Sequence, residues 1–341
     1  MKTKIVKINS LAHDLDKIRY VADVIKGGGL AVLPTETVYG IAANAFDSAA
    51  VSKIFEVKGR PHDNPLIVHI ADLSEISLLV SDFPENAGNL AKNFWPGPLT
   101  IILNKAEAVP DAVSAGLNTV AIRMPLHPVI RSIIGQSGVP LAAPSANLSG
   151  KPSPTAVRHC IDDLYGKVDV IVDGGFSDIG IESTVVSLDS LPPKILRPGI
   201  ITLEQLQSVI GEVRFDKSVT SNIPVTERTS SPGMKYKHYA PNAKIILVHG
   251  SFQKFARFVS NKSGATALVF DGEEKKLMIP CVSYGVMHNA FTQSKRLFST
   301  LRELDELGAQ TVYARVPEPR GAGLAVYNRL LRAAGFDEIY L

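Results

Sequence analysis

Five cationic or ionisable side chains stand where predicted strands or helices end in the first 200 residues. Lys58 and Arg60 close a helical segment just before a proline, His69 lies in the apolar strand LIVHI, and Arg123 ends the apolar strand TVAIR. Arg197 lies in the segment LRPG. A guanidinium on a proline-fixed turn suits bidentate recognition of phosphate, and an arginine ending a buried strand needs an anion from the protein or from a ligand. These residues indicate a pocket for a phosphate-bearing ligand and a carboxylate.

Hydroxyl and amide side chains follow other strands of the same region. Thr35 comes directly after the apolar strand LAVL, Ser145 and Asn147 lie in the loop APSANLSG, and Ser183 lies in GIESTVVSL. In α/β sheets, ligands bind at the carboxyl ends of strands, where loops converge. We therefore expect these groups to face the same pocket as the cations.

Each of these residues also has an ordinary structural explanation. Thr35 can cap a helix, Lys58 and Arg60 can complement a helix dipole, and His69 can be a satisfied core histidine. Turn chemistry alone accounts for the polar residues of APSANLSG. The conjunction of all these groups at element ends of one domain is what favours a ligand pocket.

The elements that must position these groups follow an α/β pattern in two parts. Residues 1–211 mix short buried strands with helical segments, which predicts one α/β domain. Residues 244–341 alternate strictly from the strand KIILV to the closing strand EIYL, which predicts a small doubly wound parallel sheet. Residues 212–243 hold few apolar runs and predict a linker. That linker includes SPGMKYKHYAP, whose tyrosines, histidine and lysines exceed the needs of a spacer.

Composition and missing motifs argue against several functional classes. The formal net charge is +3 with no basic tail or stripe, which argues against a large nucleic-acid footprint. No apolar run is long enough to span a membrane, and Cys160 and Cys281 match no metal or disulfide pattern, so a cytoplasmic location is expected. Phosphate-loop, H-E-x-x-H and G-x-S-x-G motifs are absent from the sequence. The segment RGAGLAVYNR (320–329) lacks the third glycine of a dinucleotide fingerprint, and we interpret it as the start of a structural helix.

Taken in order, the segments PTETVYG, KGRP…NPLIVHI, FWPGPLT, VAIRMP, APSANLSG and GIESTV…LRPG resemble the YrdC-like threonylcarbamoyl-AMP synthases. These segments cover about residues 15–200, and SPGMKYKHYAP with the α/β tail resembles the long, two-domain branch. The resemblance implies a twisted, mostly parallel N-terminal sheet around a concave cationic cavity, followed by a Rossmann-like domain. It also implies a nucleotidyltransferase that makes threonylcarbamoyladenylate and pyrophosphate from L-threonine, bicarbonate or CO2, and ATP. A transferase complex would then pass the threonylcarbamoyl group to the tRNA adenosine beside the anticodon.

The resemblance also implies roles for individual residues. The catalytic set would be Lys58, Arg60, Ser145 and Asn147. The L-threonine site would hold Thr35, His69, Arg123 and Ser183. The ATP site would hold Lys58, Arg60, Asn64, Thr119, Ser145, Asn147, Arg197 and Tyr236. In the linker, Tyr236, His238 and Tyr239 would fold over the cavity as a lid. Magnesium would accompany the ATP without protein side-chain ligands, and no organic cofactor is expected.

Two other functions stay open from the sequence. One is a double-stranded RNA-binding module, since a concave cationic surface can hold duplex RNA. The near-neutral balance of residues 1–244 counts against that function, and direct tRNA binding is left open. The other is a different carbamoyl- or adenylyl-transfer enzyme, although the zinc-finger and acylphosphatase-like segments of the related carbamoyltransferases are not visible. Residues 245–341 offer no catalytic constellation and are expected to be structural or regulatory.

Overall fold

The computed structural model describes residues 2–219 and 239–341, which form two β-sheets, one of eleven strands and one of five. The strands of the larger sheet are β1 (Lys4–Lys7), β2 (Ala31–Leu33), β3 (Gly40–Asn44), β4 (Ile67–His69), β5 (Leu99–Asn104), β6 (Thr119–Arg123), β7 (Leu141–Ala142), β8 (Val170–Asp173), β9 (Thr184–Ser187), β10 (Lys194–Arg197) and β11 (Arg214–Phe215). The accompanying helices are α1 (Leu15–Lys26), α2 (Ser48–Lys58), α3 (Glu85–Phe94), α4 (Asp111–Ser114), α5 (Pro128–Ser137), α6 (Val157–Leu164) and α7 (Leu203–Ile210).

The larger sheet has the strand order β1-β8-β2-β3-β7-β4-β6-β5-β9-β10-β11. Half of its ten strand pairings are antiparallel and half are parallel. The α/β fold is therefore confirmed, but this sheet is mixed rather than mostly parallel. Short connections such as the one from β2 to β3 favour antiparallel neighbours, because a parallel partner needs a long crossover.

Helix α2 delivers the first two cations of the predicted pocket. The Asp47 side chain caps its start by accepting hydrogen bonds from the backbone N–H groups of Ala49 and Ala50. The helix ends at Gly59, whose φ of 60° is left-handed and suits glycine. Lys58 is thus the last helical residue, and Arg60 follows the reversal of the chain.

The smaller sheet is all parallel, with the order β14-β13-β15-β12-β16. Its strands are β12 (Lys244–His249), β13 (Ala265–Val269), β14 (Cys281–Ser283), β15 (Thr311–Arg315) and β16 (Glu338–Tyr340), and its helices are α8 (Phe252–Ser260), α9 (Ala290–Glu306) and α10 (Gly323–Ala334). The parallel C-terminal sheet agrees with the sequence analysis. The proposed domain boundaries at residues 211 and 243 stay a prediction.

Six of these elements were not expected from the sequence: α1, β3, α4, β10, β11 and β14. The first of these is an amphipathic helix whose buried side, Ile18, Val21, Ala22 and Ile25, has helical spacing, so its signal was present in the sequence. In the part of the chain that the structure describes, no helix is both long and apolar enough to cross a membrane.

Candidate active site

A cavity lined by polar and apolar residues lies against the larger sheet. Its walls come from the end of α2, the carboxyl ends of β4, β6 and β10, and the loops after β2 and β7. Apart from Asn64 and Thr119, every predicted site residue in the described chain lines it, namely Thr35, Lys58, Arg60, His69, Arg123, Ser145, Asn147, Ser183, Arg197 and Tyr239. The structure thus brings together residues that lie far apart in the sequence.

Lys58 is buried and donates hydrogen bonds to the backbone carbonyls of Ser145 and Asn147. Its ammonium group therefore ties the end of α2 to the loop after β7. Burial, together with the nearby charge of Arg60, holds the pKa of Lys58 well below its usual value. A lysine in this position gains little from its charge unless an anion enters the cavity.

Arg60 and Arg197 are held in the same way, by neutral acceptors. The Arg60 guanidinium donates to the carbonyls of Asn64 at 3.2 Å and Pro65 at 3.1 Å, and burial lowers its pKa to about 10. Arg197 donates to the carbonyl and to the hydroxyl of Ser183, both at 3.1 Å. Within residues 2–219 and 239–341, none of the ion pairs involves Arg60, Arg197 or Lys58.

Arg123 differs because a carboxylate faces it. The Glu36 carboxylate lies 2.6 Å from the Arg123 guanidinium, which also donates to the Thr37 hydroxyl at 2.7 Å and the Gly97 carbonyl at 3.2 Å. Burial would raise the pKa of Glu36, but the charge of Arg123 outweighs it and lowers that pKa. The ion pair joins Nη2 of Arg123 to Oε1 of Glu36, so Glu36 neutralises the guanidinium within the protein.

Among the described residues that line the cavity, Nδ1 of His69 and Oδ1 of Asn147 are buried and have no hydrogen-bond partner. The His69 side chain is buried, and burial reinforced by the Arg123 charge lowers its pKa to about 3. Its imidazole is therefore neutral near pH 7. Unpartnered buried polar atoms are uncommon in folded proteins, and a bound ligand is one physical explanation for a pair of them in the same cavity.

Thr35 lies in the turn between β2 and β3, so the helix-cap explanation does not apply to it. Its hydroxyl donates to the Val38 carbonyl at 2.6 Å and lies 2.8 Å from the Thr37 hydroxyl. The Ser183 hydroxyl lies 2.7 Å from that of Thr100 on β5. These hydroxyls are held in place by short contacts with neighbouring protein groups.

The structure does not bring every candidate to the cavity wall. Thr119 begins β6, at the opposite end of the strand from Arg123, and Asn64 contributes its carbonyl to Arg60 from behind the wall. Tyr236 and His238, predicted for the ATP site and the lid, lie outside the described residues. Tyr239 is described, is buried and lines the cavity, and the pKa of its phenol is raised by burial.

Glu182 lines the cavity but was not predicted as a site residue, although it lies in the segment GIESTVVSL beside Ser183. This buried carboxylate accepts a hydrogen bond from the Ser153 hydroxyl at 2.5 Å and pairs with Arg329 at 2.9 Å. A carboxylate beside a predicted site serine was a visible signal. Its partner, Arg329, comes from α10 in the C-terminal region.

Comparison with known proteins agrees with this geometry. The family model Sua5_yciO_yrdC, described as telomere recombination, matches residues 23–199, and the model described as threonylcarbamoyl-AMP synthase, C-terminal domain, matches residues 201–335. The chain belongs to the threonylcarbamoyl-AMP synthase family. The family that the sequence resembles is therefore confirmed. Enzymes of this family are nucleotidyltransferases.

Curated relatives cover nearly the whole chain. The threonylcarbamoyl-AMP synthase of Pyrococcus abyssi is 46% identical over 327 residues, which are 94% of each protein. The threonylcarbamoyl-AMP synthase of Bacillus subtilis is 44% identical and covers 98% of this chain and 99% of its own length. Among solved structures, P. abyssi Sua5 complexed with L-threonine matches all of both chains with a TM-score of 0.92 at 41% identity.

Proposed function

We propose that this chain condenses L-threonine, bicarbonate or CO2, and ATP into L-threonylcarbamoyladenylate and pyrophosphate. The observation that carries the proposal is the set of buried cations Lys58, Arg60 and Arg197, whose hydrogen bonds go to carbonyls and a hydroxyl in one cavity. Buried charge is costly unless it is paired. A triphosphate supplies the missing negative charge.

The ATP end of the site is proposed to lie at these three cations together with Ser145 and Asn147. Asn147 donates its amide hydrogens to the carbonyls of Leu148 and Lys151, which leaves its oxygen as an acceptor toward the cavity. Asn64, Thr119 and Tyr236 remain proposed contacts of the nucleotide. The rate enhancement is expected to come from cationic side chains that are already in position before the reaction and stabilise the transition state of phosphoryl transfer.

The threonine end is proposed to lie at Thr35, His69, Arg123 and Ser183. The Arg123 guanidinium lines the cavity, and its planar donor set suits a substrate carboxylate. Because the imidazole of His69 is neutral, its free nitrogen can accept a hydrogen bond from the threonine amino group without repelling it. The complex of P. abyssi Sua5 with L-threonine supports threonine as the ligand, and the residue assignment stays a proposal.

The proposed chemistry has two bond-forming steps. The threonine nitrogen first bonds to the carbon of CO2 and loses a proton, which gives a carbamate. A carbamate oxygen then bonds to the α-phosphorus of ATP, the bond from that phosphorus to the bridging oxygen breaks, and pyrophosphate leaves. The site contributes mainly by holding the reactants in line, and closure of the site over the reactants would limit hydrolysis of the carbamate.

Magnesium is proposed to enter with the triphosphate. The ion prefers oxygen ligands and in many sites is held by one or two carboxylates together with substrate phosphates. The described chain holds no cluster of three or more potential metal ligands, and the one carboxylate lining this cavity, Glu182, is already paired with Arg329. When bound, the ion would neutralise phosphate charge.

The product is proposed to pass to a transferase complex that modifies the tRNA adenosine beside the anticodon, without a commitment to direct tRNA binding by this chain.

Tyr239 is proposed as the anchor of a lid that includes Tyr236 and His238. In support, Tyr239 packs on Phe298 with ring centroids 5.2 Å apart, and the N–H of Ala240 donates to the Gly150 carbonyl of the cavity wall.

Pyrophosphate release in the presence of ATP, L-threonine and bicarbonate, with each omitted in turn, tests the proposal. Release should need all three, and mass spectrometry should find threonylcarbamoyladenylate. Release that ignores threonine would point to another adenylyl- or carbamoyl-transfer enzyme. Salt-dependent binding of duplex RNA without any synthesis would favour the RNA-binding alternative.

A further inference from the structure

Arg329 of α10 is completely buried where the C-terminal region meets the cavity wall. Its Nε donates to the Glu182 carboxylate at 2.9 Å, and its Nη2 lies 3.3 Å from the Glu182 carbonyl. Its Nη1 donates to the Pro198 carbonyl at 2.7 Å. One guanidinium therefore holds two separate segments of the larger sheet's domain.

Each of these segments carries a proposed ligand-binding residue directly beside the contact. Ser183 follows Glu182, and Arg197 precedes Pro198. The two candidates also contact each other, because Arg197 donates to both oxygens of Ser183. A change at Arg329 is thus transmitted through one residue to the proposed threonine and ATP ends of the cavity.

Docking of the C-terminal region against the larger sheet does not by itself require a buried arginine at this position. A buried guanidinium must satisfy several donors, and apolar residues of similar volume are often as stabilising or more so. Arg329 donates to Glu182 on the cavity wall, to the Pro198 carbonyl next to the lining residue Arg197, and to Oδ1 of Asn328 on its own helix. Glu182 keeps a lowered pKa because the charges of Arg329 and Arg197 outweigh the effect of burial. The planar, forked donor set fixes the separation of the two segments as well as their charge.

We propose that Arg329 is a positioning residue for synthesis, through which the C-terminal region fixes Ser183 and Arg197 in the cavity. This inference rests on the proposed function. It assigns the C-terminal region a part in the active site, whereas the sequence favoured a structural or regulatory one. The contact acts through the Glu182–Ser183 and Arg197–Pro198 segments and does not touch substrate.

The test compares Arg329→Met and Arg329→Lys with Arg315→Met in the full chain. Arg315 is a matched control because it also forms a buried ion pair, with Glu273 at 3.1 Å, inside the C-terminal region and away from the cavity. Steady-state kcat and KM for ATP and threonine are measured at 25 °C, with ATP affinity by calorimetry and Tm for each protein.

Arg329→Met should lower kcat/KM about 100-fold, the effect of a small displacement of positioning groups, and should weaken ATP binding. Arg329→Lys keeps the charge and should recover part of the loss, whereas Arg315→Met should lower Tm with kcat/KM within about 3-fold of wild type. Arg329 variants that match Arg315→Met in kcat/KM and ATP affinity would overturn the inference. An inactive wild type would instead refute the proposed function, and the ATP affinities would still test Arg329.

Discussion

Buried cations lie at the ends of helices or strands around both sheets, but their hydrogen-bond and ion-pair partners differ. Arg315 ends β15 and meets the Glu273 carboxylate at 3.1 Å and the Gly250 carbonyl at 2.6 Å. In the cavity of the larger sheet, Lys58 and Arg60 have backbone carbonyls as hydrogen-bond partners. A carbonyl oxygen satisfies the hydrogen-bonding capacity of a cationic side chain but does not neutralise the positive charge of that side chain.

This difference separates two uses of a buried cation. The charge of Arg315 is neutralised within the protein, so its expected contribution is to stability. The charges in the cavity are left for a ligand, so their expected contribution is to substrate use. Arg123 stands between these cases, because Glu36 neutralises its charge within the protein although the Arg123 side chain also lines the cavity.

The largest expected effect is on catalysis, from Arg60→Ala. Loss of a preorganised cation at the phosphates should lower kcat/KM for ATP by about 100- to 1,000-fold. The threonine KM should change much less. Steady-state kinetics with each substrate varied in turn measure the split, and a variant that impairs threonine use more than ATP use would show that the two ends of the site are reversed.

Arg315→Met should show the opposite behaviour. It leaves Glu273 buried without its partner, so the free energy of unfolding should fall by about 3–5 kcal/mol. Chemical denaturation measures that loss. The rate of synthesis per folded molecule should be retained at 25 °C, and a large loss of that rate would mean that the C-terminal ion pair also serves the active site.

A smaller, more selective effect is expected for Arg123→Met. Loss of one charge-assisted hydrogen bond to the threonine carboxylate should cost about 1.5–3 kcal/mol, which raises the threonine KM about 10- to 100-fold. The ATP KM in the same protein is the internal control. Because Glu36 loses its partner, activities are to be normalised to the folded fraction, and an unchanged threonine KM would remove Arg123 from the amino-acid site.

The sequence predicted much of this site because the signal is local. Lys58, Arg60, Arg123 and Ser145 each stand where an apolar or helical pattern stops, and such positions converge at the edge of an α/β sheet. The elements themselves were mostly predictable for the same reason. The predicted strand TVAIR has the bounds of β6, and LAVL, LIVHI, KIILV and EIYL differ from β2, β4, β12 and β16 by no more than one residue at either end.

The partners of these groups could not be predicted, because they depend on tertiary packing. Nothing in PTETVYG shows that Glu36 pairs with a strand-end arginine 87 residues later. Arg329 is a stronger case. It lies in the apolar pattern GLAVYNRLLRAA, which predicts a helix, and only the docking of α10 brings it to Glu182. A cation on the buried face of an amphipathic helix was the one available hint.

The most direct test of the central claim is Lys58→Met, measured for both stability and synthesis. Methionine removes the cost of burying the ammonium group but leaves the carbonyls of Ser145 and Asn147 without a donor. We expect the free energy of unfolding to stay within about 1 kcal/mol of wild type, while pyrophosphate release falls at least about 100-fold. A protein that loses several kcal/mol of stability and keeps its rate per folded molecule would contradict the account, because Lys58 would then serve the fold and not the substrate.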